Sequence, residues 1–210
     1  MTQMSDSAHD PQRIAEYLRT RHEYLSKCRI HIENKLSDES REFIDSEDDE
    51  DTVNRFLLHI DGVVAITFRY SMLISACSYL EEALTLLCRD SLSDYRSKVK
   101  AIKKGSWLSK HRSLLEDEPS VDIAAVKEHW DKMADFVLIR NCITHGWGNV
   151  YECRNSNLVQ EIVAREATYA VSKEGYLLLD DLAVAYALFA SKKIVGKLVE
   201  DLFGLSGHSI

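Results

Sequence analysis

Residues that stop a helix are scarce in this chain. The 210 residues include only two prolines, Pro11 and Pro119, and eight glycines. Leu, Ala, Glu, Lys and Arg, which favour helices, are plentiful. At this length and with 45% apolar residues, one domain with a sizeable core is expected. We therefore expect a mainly α fold in which few positions force a helix to end.

Two further absences bear on where the protein works. The first ten residues, MTQMSDSAHD, are polar and lack the apolar core of a signal peptide. The longest uncharged run, 70–80, is too short and too rich in serine to span a bilayer. We expect a cytoplasmic protein with no membrane partner.

The five cysteines are an odd number without a C-x-x-C pair, which favours reduced thiols packed as small hydrophobic side chains.

The sequence also lacks several familiar motifs of catalysis and cofactor binding. It contains no phosphate-binding glycine loop, H-E-x-x-H pair or dinucleotide fingerprint. The tail GLSGHSI has neither the preceding strand nor the glycine spacing of a nucleophile elbow. We predict no cofactor and no metal site, since no clustered ligand spacing occurs. Five scattered histidines receive no role: His22, His31, His59, His111 and His129.

Charge is distributed unevenly along the chain. The net charge of −8 argues against a broad, non-specific nucleic-acid binder. Residues 38–51 hold nine acidic residues and one arginine, whereas residues 89–112, here called the basic strip, hold eight Lys or Arg and two Asp. Two solvated surfaces explain this pattern most simply, but the basic strip could also attract a phosphate backbone.

Hydrophobic periodicity predicts a helical bundle with one small β-element. We expect a single domain over 1–210, with an N-terminal helical extension and acidic loop over 1–51 and a core over 52–203. The predicted elements, in chain order, are a helix over 11–35, a short helix over 39–44, a helix over 52–88, one or two short helices over 95–115, a helix over 121–145, a β-hairpin over 161–179 and a helix over 181–203.

Spacings of three and four residues define the faces expected to be buried. In the helix over 52–88 the seam is Phe56, Ile60, Val63, Thr67, Tyr70, Ile74, Cys77, Glu81, Leu84 and Cys88. In the helix over 121–145 it is Ile123, Val126, Trp130, Met133, Val137, Arg140 and Thr144. In the last helix the apolar positions are Leu182, Tyr186, Phe189, Val195, Leu198 and Leu202.

Each of two seams contains one charged residue. Glu81 occupies a position where a hydrophobic side chain is expected, while Glu82 lies about 100° further round the helix and can reach water. Arg140 falls in the buried register of its own helix. If Glu81 faces Arg140, the carboxylate would orient the guanidinium and offset the cost of burying it.

The stretch RNCITHGWGNV, residues 140–150, ends an apolar helical pattern on polar residues. Asn141 and His145 are four residues apart and share a helix face. Gly146 and Gly148 can end the helix at His145, so that its imidazole caps the C-terminus, where the dipole favours the protonated form. A structural interpretation remains open, because an Arg–Glu pair and a capping histidine are also a common way of stabilising a helix end.

RNCITH at 140–145 resembles the R-x-x-x-x-H signature of HEPN domains, which are helical bundles that carry this motif late in the chain. Asn141 matches the polar residue that often follows the arginine. SYLEEALTLLC, 78–88, looks like the helix that supplies an acidic partner in many members, and Glu81 is the better match. One departure is Trp147, where members paired with a nucleotidyltransferase antitoxin often have tyrosine. The resemblance covers roughly residues 52–203.

The resemblance implies a metal-independent endoribonuclease of toxin or antiviral-defence systems, working as a homodimer. Arg140 would bind the scissile phosphate, His145 would transfer protons and Asn141 would position groups, with Glu81 as the acidic partner. RNA would be the substrate, and an antitoxin or defence-system protein a further partner. The alternative is a non-catalytic HEPN-like dimeric scaffold that binds a nucleotide, RNA or a protein.

Two other regions are candidates for contact with substrate or partner, namely the basic strip and the predicted hairpin. The three tryptophans are expected to serve as core or interface anchors rather than as platforms on which bases stack. These residues are Trp107, Trp130 and Trp147.

Overall fold

A computed structural model describes residues 10–205. The helices are α1 (Pro11–Ser46), α2 (Glu50–His59), α3 (Ile66–Ser91), α4 (Tyr95–Ala101), α5 (Trp107–Glu116), α6 (Lys127–Gly146), α7 (Ser156–Arg165) and α8 (Asp181–Phe203). A π-helical segment, Ile60–Ala65, joins α2 to α3, and a 3-10 turn, Ile123–Val126, precedes α6. Two short strands, β1 (Tyr169–Val171) and β2 (Leu177–Leu179), pair antiparallel before α8.

The mainly α fold with a small β-hairpin before the C-terminal helix is confirmed. The hairpin is shorter than predicted, because EIVAR, 161–165, belongs to α7. The reason is that Val159 and Ile162 lie three residues apart and are both buried, which gives this segment a helical apolar face rather than a strand face. The pairing of Tyr169 with Leu179 fixes the register of the two strands.

The described residues divide into two compact units. Unit 1 contains the chain up to Glu23, Ser78–Ala134 and the chain from Phe189 onward, whereas unit 2 contains Tyr24–Cys77 and Asp135–Leu188. The four long helices α1, α3, α6 and α8 each pass from one unit into the other. Residues along a single helix therefore contribute to different units.

Unit 1 has an apolar core supplemented by polar contacts of α1. Glu82 accepts a hydrogen bond from the Tyr17 hydroxyl at 2.7 Å and pairs with Arg21 at 2.6 Å. This exposed pair contributes little to stability, about 0–1 kcal/mol. The core includes Leu80, Leu84, Leu87, Leu108, Leu115, Trp130, Met133, Ile194 and Leu198.

Unit 2 is organised around the hairpin and the upstream half of α3. Arg69 donates to both carboxylate oxygens of Glu33, at 2.9 and 2.8 Å, and to the Leu179 carbonyl at 3.3 Å. The bidentate geometry suits a planar guanidinium, and these hydrogen bonds connect α1, α3 and β2. The core includes Leu73, Ala76, Phe136, Ile139, Val159, Leu177, Leu179 and Val184.

α1 differs from its prediction, because the expected break between 35 and 39 is missing. The helix continues to Ser46 without interruption. No proline or glycine occurs between 36 and 46, so nothing there forces an end, and Ser37 and Asp38 are accommodated inside the helix. The acidic loop expected within 38–51 is reduced to 47–49, because 38–46 belong to α1 and α2 begins at Glu50. The entry into the next helix is as expected, since the Asp49 carboxylate accepts a hydrogen bond from the Thr52 amide and caps α2.

The seam predicted for 52–88 is wrong in its upstream part. Val63 is 53% exposed and Thr67 is also exposed, whereas Ala65, which was not in the predicted seam, is buried. Ile60 is buried as predicted. A π-helix closes its hydrogen bonds over five residues instead of four and therefore shifts the register of the side chains. Further along, Cys77, Leu84 and Cys88 are buried as predicted.

The buried face predicted for 121–145 is confirmed from Ile123 to Val137, all of whose predicted members are buried, although the first two belong to the 3-10 turn before α6. Arg140 is half-buried and Thr144 is exposed. In α8, Leu182 and Phe189 were expected inside but are 65% and 45% exposed. Its buried face consists mainly of small and branched residues, which allow close packing: Ala183, Val184, Ala187, Ala190, Ser191, Ile194 and Val199.

By length and composition alone, the helical run Glu50–Ser91 could cross a membrane. Core helices of soluble proteins meet the same criterion, and 39% of the most apolar stretch of this run is buried. A soluble protein is compatible with the structure.

Candidate functional site at the end of α6

The chain reverses direction directly after α6. The helix ends at Gly146, one residue later than predicted, and the backbone then turns through Trp147 at φ 53° and Gly148 at φ 80°. The Gly148 amide donates to the Cys142 carbonyl at 3.1 Å, and the Asn149 amide donates to the Gly146 carbonyl at 2.8 Å. These hydrogen bonds satisfy carbonyl groups that would otherwise lack a donor at the helix end.

Glycine is required at both positions, for different reasons. At Gly148 the φ is positive and an added Cβ would lie 2.5 Å from the Tyr70 hydroxyl oxygen. That hydroxyl donates a hydrogen bond to the Leu177 carbonyl. At Gly146 the constraint is close packing, since an added Cβ would lie 3.0 Å from the Cβ of Cys153. The two glycines thus let the turn pack tightly against its neighbours.

Backbone hydrogen bonds join this turn to the hairpin. The Val150 amide donates to the Gly175 carbonyl at 3.0 Å, and the Leu177 amide donates to the Gly148 carbonyl at 2.9 Å. Asn149 and Tyr176 form an isolated antiparallel bridge between these two bonds. The turn after α6 is therefore fixed on both sides rather than held by the helix alone.

Arg140 and Asn141 interact directly. The Nη1 of Arg140 donates to the Asn141 Oδ1 at 3.1 Å, and the Arg140 Nε is buried without a hydrogen-bond partner. Because Asn141 lies one turn before His145 on the same face, this bond draws the guanidinium towards that face. Within unit 2 the arginine has no carboxylate partner, so the amide of Asn141 accepts one of its hydrogen bonds but does not neutralise its charge.

His145 is exposed in the last turn of α6. Its imidazole makes no hydrogen bond or ion pair with any residue between 10 and 205. An exposed imidazole can exchange a proton with a bound molecule. This helix end therefore presents three groups: the guanidinium of Arg140, the amide of Asn141 and the imidazole of His145.

The surroundings of this helix end are apolar on the inner side. Burial raises the pKa of the Cys142 thiol to about 12, and the neighbouring Cys153 thiol adds to the shift. Burial likewise raises the pKa of Tyr70 to about 12. Neither group is ionised near neutral pH, which agrees with the predicted packing of the thiols as small hydrophobic side chains. All five cysteines are free, and only Cys28 among them is not buried.

Glu81, the fourth predicted site residue, belongs to unit 1, whereas the other three belong to unit 2. Its pairing with Arg140 stays a prediction. In unit 1 its charge acts on Tyr95 and His111, whose side chains bond each other at 2.8 Å between Oη and Nε2. Burial is the main cause of the lowered pKa of His111, and Glu81 opposes it.

The basic strip also lies in unit 1, where it runs from the end of α3 through α4 and the following loop into α5. Arg112 is paired with Glu116 and Asp131, both at 2.8 Å. Several lysines of the strip make no ion pair with any described residue: Lys98, Lys100, Lys103, Lys104 and Lys110. No group of three or more His, Cys, Asp or Glu side chains able to hold a metal ion occurs over 10–205.

Three aromatic residues near the motif are exposed, a feature that the sequence reasoning missed. Trp147 is 87% exposed, Tyr151 63% and Tyr176 46%. Trp130 lies in the core, in agreement with the expected core or interface role. Trp147 is not a core residue, and its role as an interface anchor stays a prediction. The signal available in the sequence was the placement of Trp147 between two glycines, which gives no neighbouring side chain to cover the ring.

Comparison of the chain with family models, with curated proteins and with solved structures gives no match.

Proposed function

We propose that the protein is a metal-independent endoribonuclease of the HEPN type, acting in toxin or antiviral defence. One observation carries this proposal: the Arg140 guanidinium is held by Asn141, keeps an unpartnered Nε and lies at the same helix end as the exposed His145. An arginine bonded to an amide instead of a carboxylate retains its full charge for a phosphate. Proton transfer and charge stabilisation are the two functions that cleavage by a 2′-hydroxyl requires.

The proposed reaction breaks one RNA strand without water in its first step. The 2′-oxygen attacks the adjacent phosphorus, the bond from phosphorus to the 5′-oxygen breaks, and a 2′,3′-cyclic phosphate and a 5′-hydroxyl result. His145 accepts the proton of the 2′-hydroxyl or supplies one to the departing 5′-oxygen, and in a homodimer the two copies would divide these roles. Arg140 binds the non-bridging oxygens as their charge grows, while Asn141 holds the guanidinium in place.

Cleavage of unstructured RNA in the presence of EDTA tests this proposal. His145→Ala should lower the rate by about 10²- to 10⁴-fold, because a general acid or base contributes that much. Arg140→Ala should lower it by about 10²- to 10³-fold through the loss of charge stabilisation. Products should end in a cyclic phosphate, and a 2′-deoxy substitution at the cleaved position should block the reaction.

Matched controls separate a catalytic role from a general effect of substitution. His31 is exposed on α1, and Arg41 on the same helix has a side chain that is 70% exposed, so His31→Ala and Arg41→Ala should leave the rate unchanged. Circular dichroism verifies that each variant is folded. Cleavage that persists in both the His145 and Arg140 variants would mean that another protein in the preparation is responsible.

A second candidate function is a non-catalytic HEPN-like dimeric scaffold that binds a nucleotide, RNA or a protein partner. The net charge of −8 favours it. In that case Arg140→Ala should mainly lower the melting temperature, since the guanidinium would be a structural group of the helix end. The wild-type protein would then cut no RNA and show no toxicity on expression.

A further inference from the structure

We propose that Trp147, together with Tyr151 and Tyr176, forms a stacking platform for an unpaired base of single-stranded RNA. The inference rests on the proposed function, because it places that base beside the phosphate that Arg140 and His145 would engage.

The first observation is the exposure of the three rings. Tryptophan is on average highly buried, because its large apolar surface is costly to leave in water. Here the residue Trp147 is 87% exposed. The Tyr151 ring lies against the backbone of Gly175, where an added Cβ would be 2.7 Å from its Cδ2 atom, and Tyr176 is the next residue of the hairpin. The side chains of Tyr151 and Tyr176 therefore start from neighbouring backbone positions at the surface.

The second observation is that the Trp147 backbone is both strained and fixed. A non-glycine residue with positive φ is uncommon, and a bulky one is an outlier that warrants a functional explanation. The two amides that follow Trp147, those of Gly148 and Asn149, donate to carbonyls of α6 at 3.1 and 2.8 Å. Because the backbone on each side is anchored, the indole is presented to solvent by a rigid turn. Such preorganisation reduces the entropy lost on binding.

The third observation concerns the residues around Trp147, which distinguish a nucleic acid from a second copy of the chain. The core of a protein–protein interface is depleted in charged residues. Apart from Tyr151, the exposed residues near Trp147 along the chain are polar: Thr144, His145, Glu152, Arg154 and Asn155. Arg154 makes no ion pair with any residue of the described range, so its charge is available to a phosphate. Aromatic rings combined with free cations are typical of surfaces that bind single-stranded nucleic acid.

A binding experiment without cleavage tests this inference separately from the proposed activity. The background is His145→Ala, and the probes are an adenine dodecamer RNA and an abasic ribose-phosphate strand of equal length. Trp147→Asn removes the ring with little backbone strain, because asparagine tolerates positive φ, whereas Trp147→Phe retains a ring. Tyr24, 72% exposed on α1, provides the matched control Tyr24→Ala. Affinity is measured by fluorescence anisotropy and the state of the indole by tryptophan quenching.

We expect Trp147→Asn to weaken binding of the adenine dodecamer by about 5- to 150-fold, the range for one stacked base. Trp147→Phe and Tyr24→Ala should bind nearly as the parent does, and the abasic strand should bind the parent and Trp147→Asn equally. The adenine dodecamer should quench the fluorescence of the parent, whereas the abasic strand should not.

Three results would overturn the inference. The first is that the dodecamer does not bind. The second is that the parent and Trp147→Asn bind it equally. The third is that Trp147→Asn binds RNA normally but changes from dimer to monomer in sedimentation. The last would assign the ring to an interface between copies. Failure of the proposed function can be distinguished from failure of this inference. A wild-type protein that never cleaves RNA could still bind it through Trp147, and an enzyme that cleaves RNA could be unaffected by the Trp147 change.

Discussion

Gly148→Ala provides the sharpest test of the turn that follows α6. The native φ of 80° costs an alanine about 1–2 kcal/mol. The added Cβ would also lie 2.5 Å from the Tyr70 hydroxyl oxygen and 3.0 Å from its Cζ, so the phenol must move and weaken its bond to the Leu177 carbonyl. Overpacking of this kind costs about 1–3 kcal/mol. Together the two effects should lower the free energy of unfolding by about 2–5 kcal/mol.

Urea denaturation followed by circular dichroism measures this loss, and Tyr70→Phe separates its two causes. The phenylalanine removes the atom that the new Cβ approaches most closely, so Gly148→Ala should cost less in that background. The coupling between the two changes should be about 0.5–3 kcal/mol, as is usual for residues in contact. Gly62→Ala is the matched control, because an added Cβ there meets no atom within 4 Å, and it should leave stability equal or slightly higher.

A Gly148→Ala protein within about 0.5 kcal/mol of the wild type, the range of neutral surface changes, would refute this reasoning. It would mean that the turn relaxes without strain. An equal loss in the Tyr70→Phe background would instead show that the contact with the hydroxyl is unimportant and that the φ angle and the contact with the ring carbons cause the loss.

Two further predictions follow from pKa values. Because burial raises the pKa of Tyr70 from 10 to about 12 in the folded protein, its contribution to stability is complete below about pH 10 and is lost as the pH rises through about 12. Tyr70→Phe should therefore make the alkaline loss of stability in urea titrations less steep, and an unchanged slope would contradict the assignment. Ellman's reagent at about pH 8 should modify Cys28 readily in the native protein, whereas Cys88 and Cys142, whose pKa values burial raises to about 12, should react only after unfolding. Fast modification of more than one thiol per chain would show that the core opens.

The helical class of the protein follows from local chemistry. With only two prolines and eight glycines, few positions interrupt a helix, and the end of α8 near Phe203 and the two short helices of the basic strip agree with the periodicity. The buried face of α6 up to Val137 was also correct, since Trp130 and Met133 repeat at helical spacing. Periodicity succeeds where one face of a regular helix is apolar.

The same reasoning failed where hydrogen bonding departs from the regular helix. The π-helical segment Ile60–Ala65 changes which side chains face inward, and its sequence, IDGVVA, contains no pattern that predicts a π-helix. In α8, alanines are buried while Leu182 and Phe189 are exposed, because tight packing selects small residues that a ranking by hydrophobicity places low. Both errors concern which face of a helix meets its neighbours, a property of the whole fold.

For the candidate site, the sequence by itself determined which chemical groups are present: a guanidinium, an amide and an imidazole within six residues, ahead of two glycines. The tertiary structure decided how they are presented. Arg140 turns to Asn141, His145 lies open to solvent, and the pairing of 148–150 with the hairpin fixes Trp147 outside the core. The physical reason is that a residue's type follows from local sequence, whereas its exposure and its partners depend on segments far away in the chain, here Tyr70, Gly175 and Leu177.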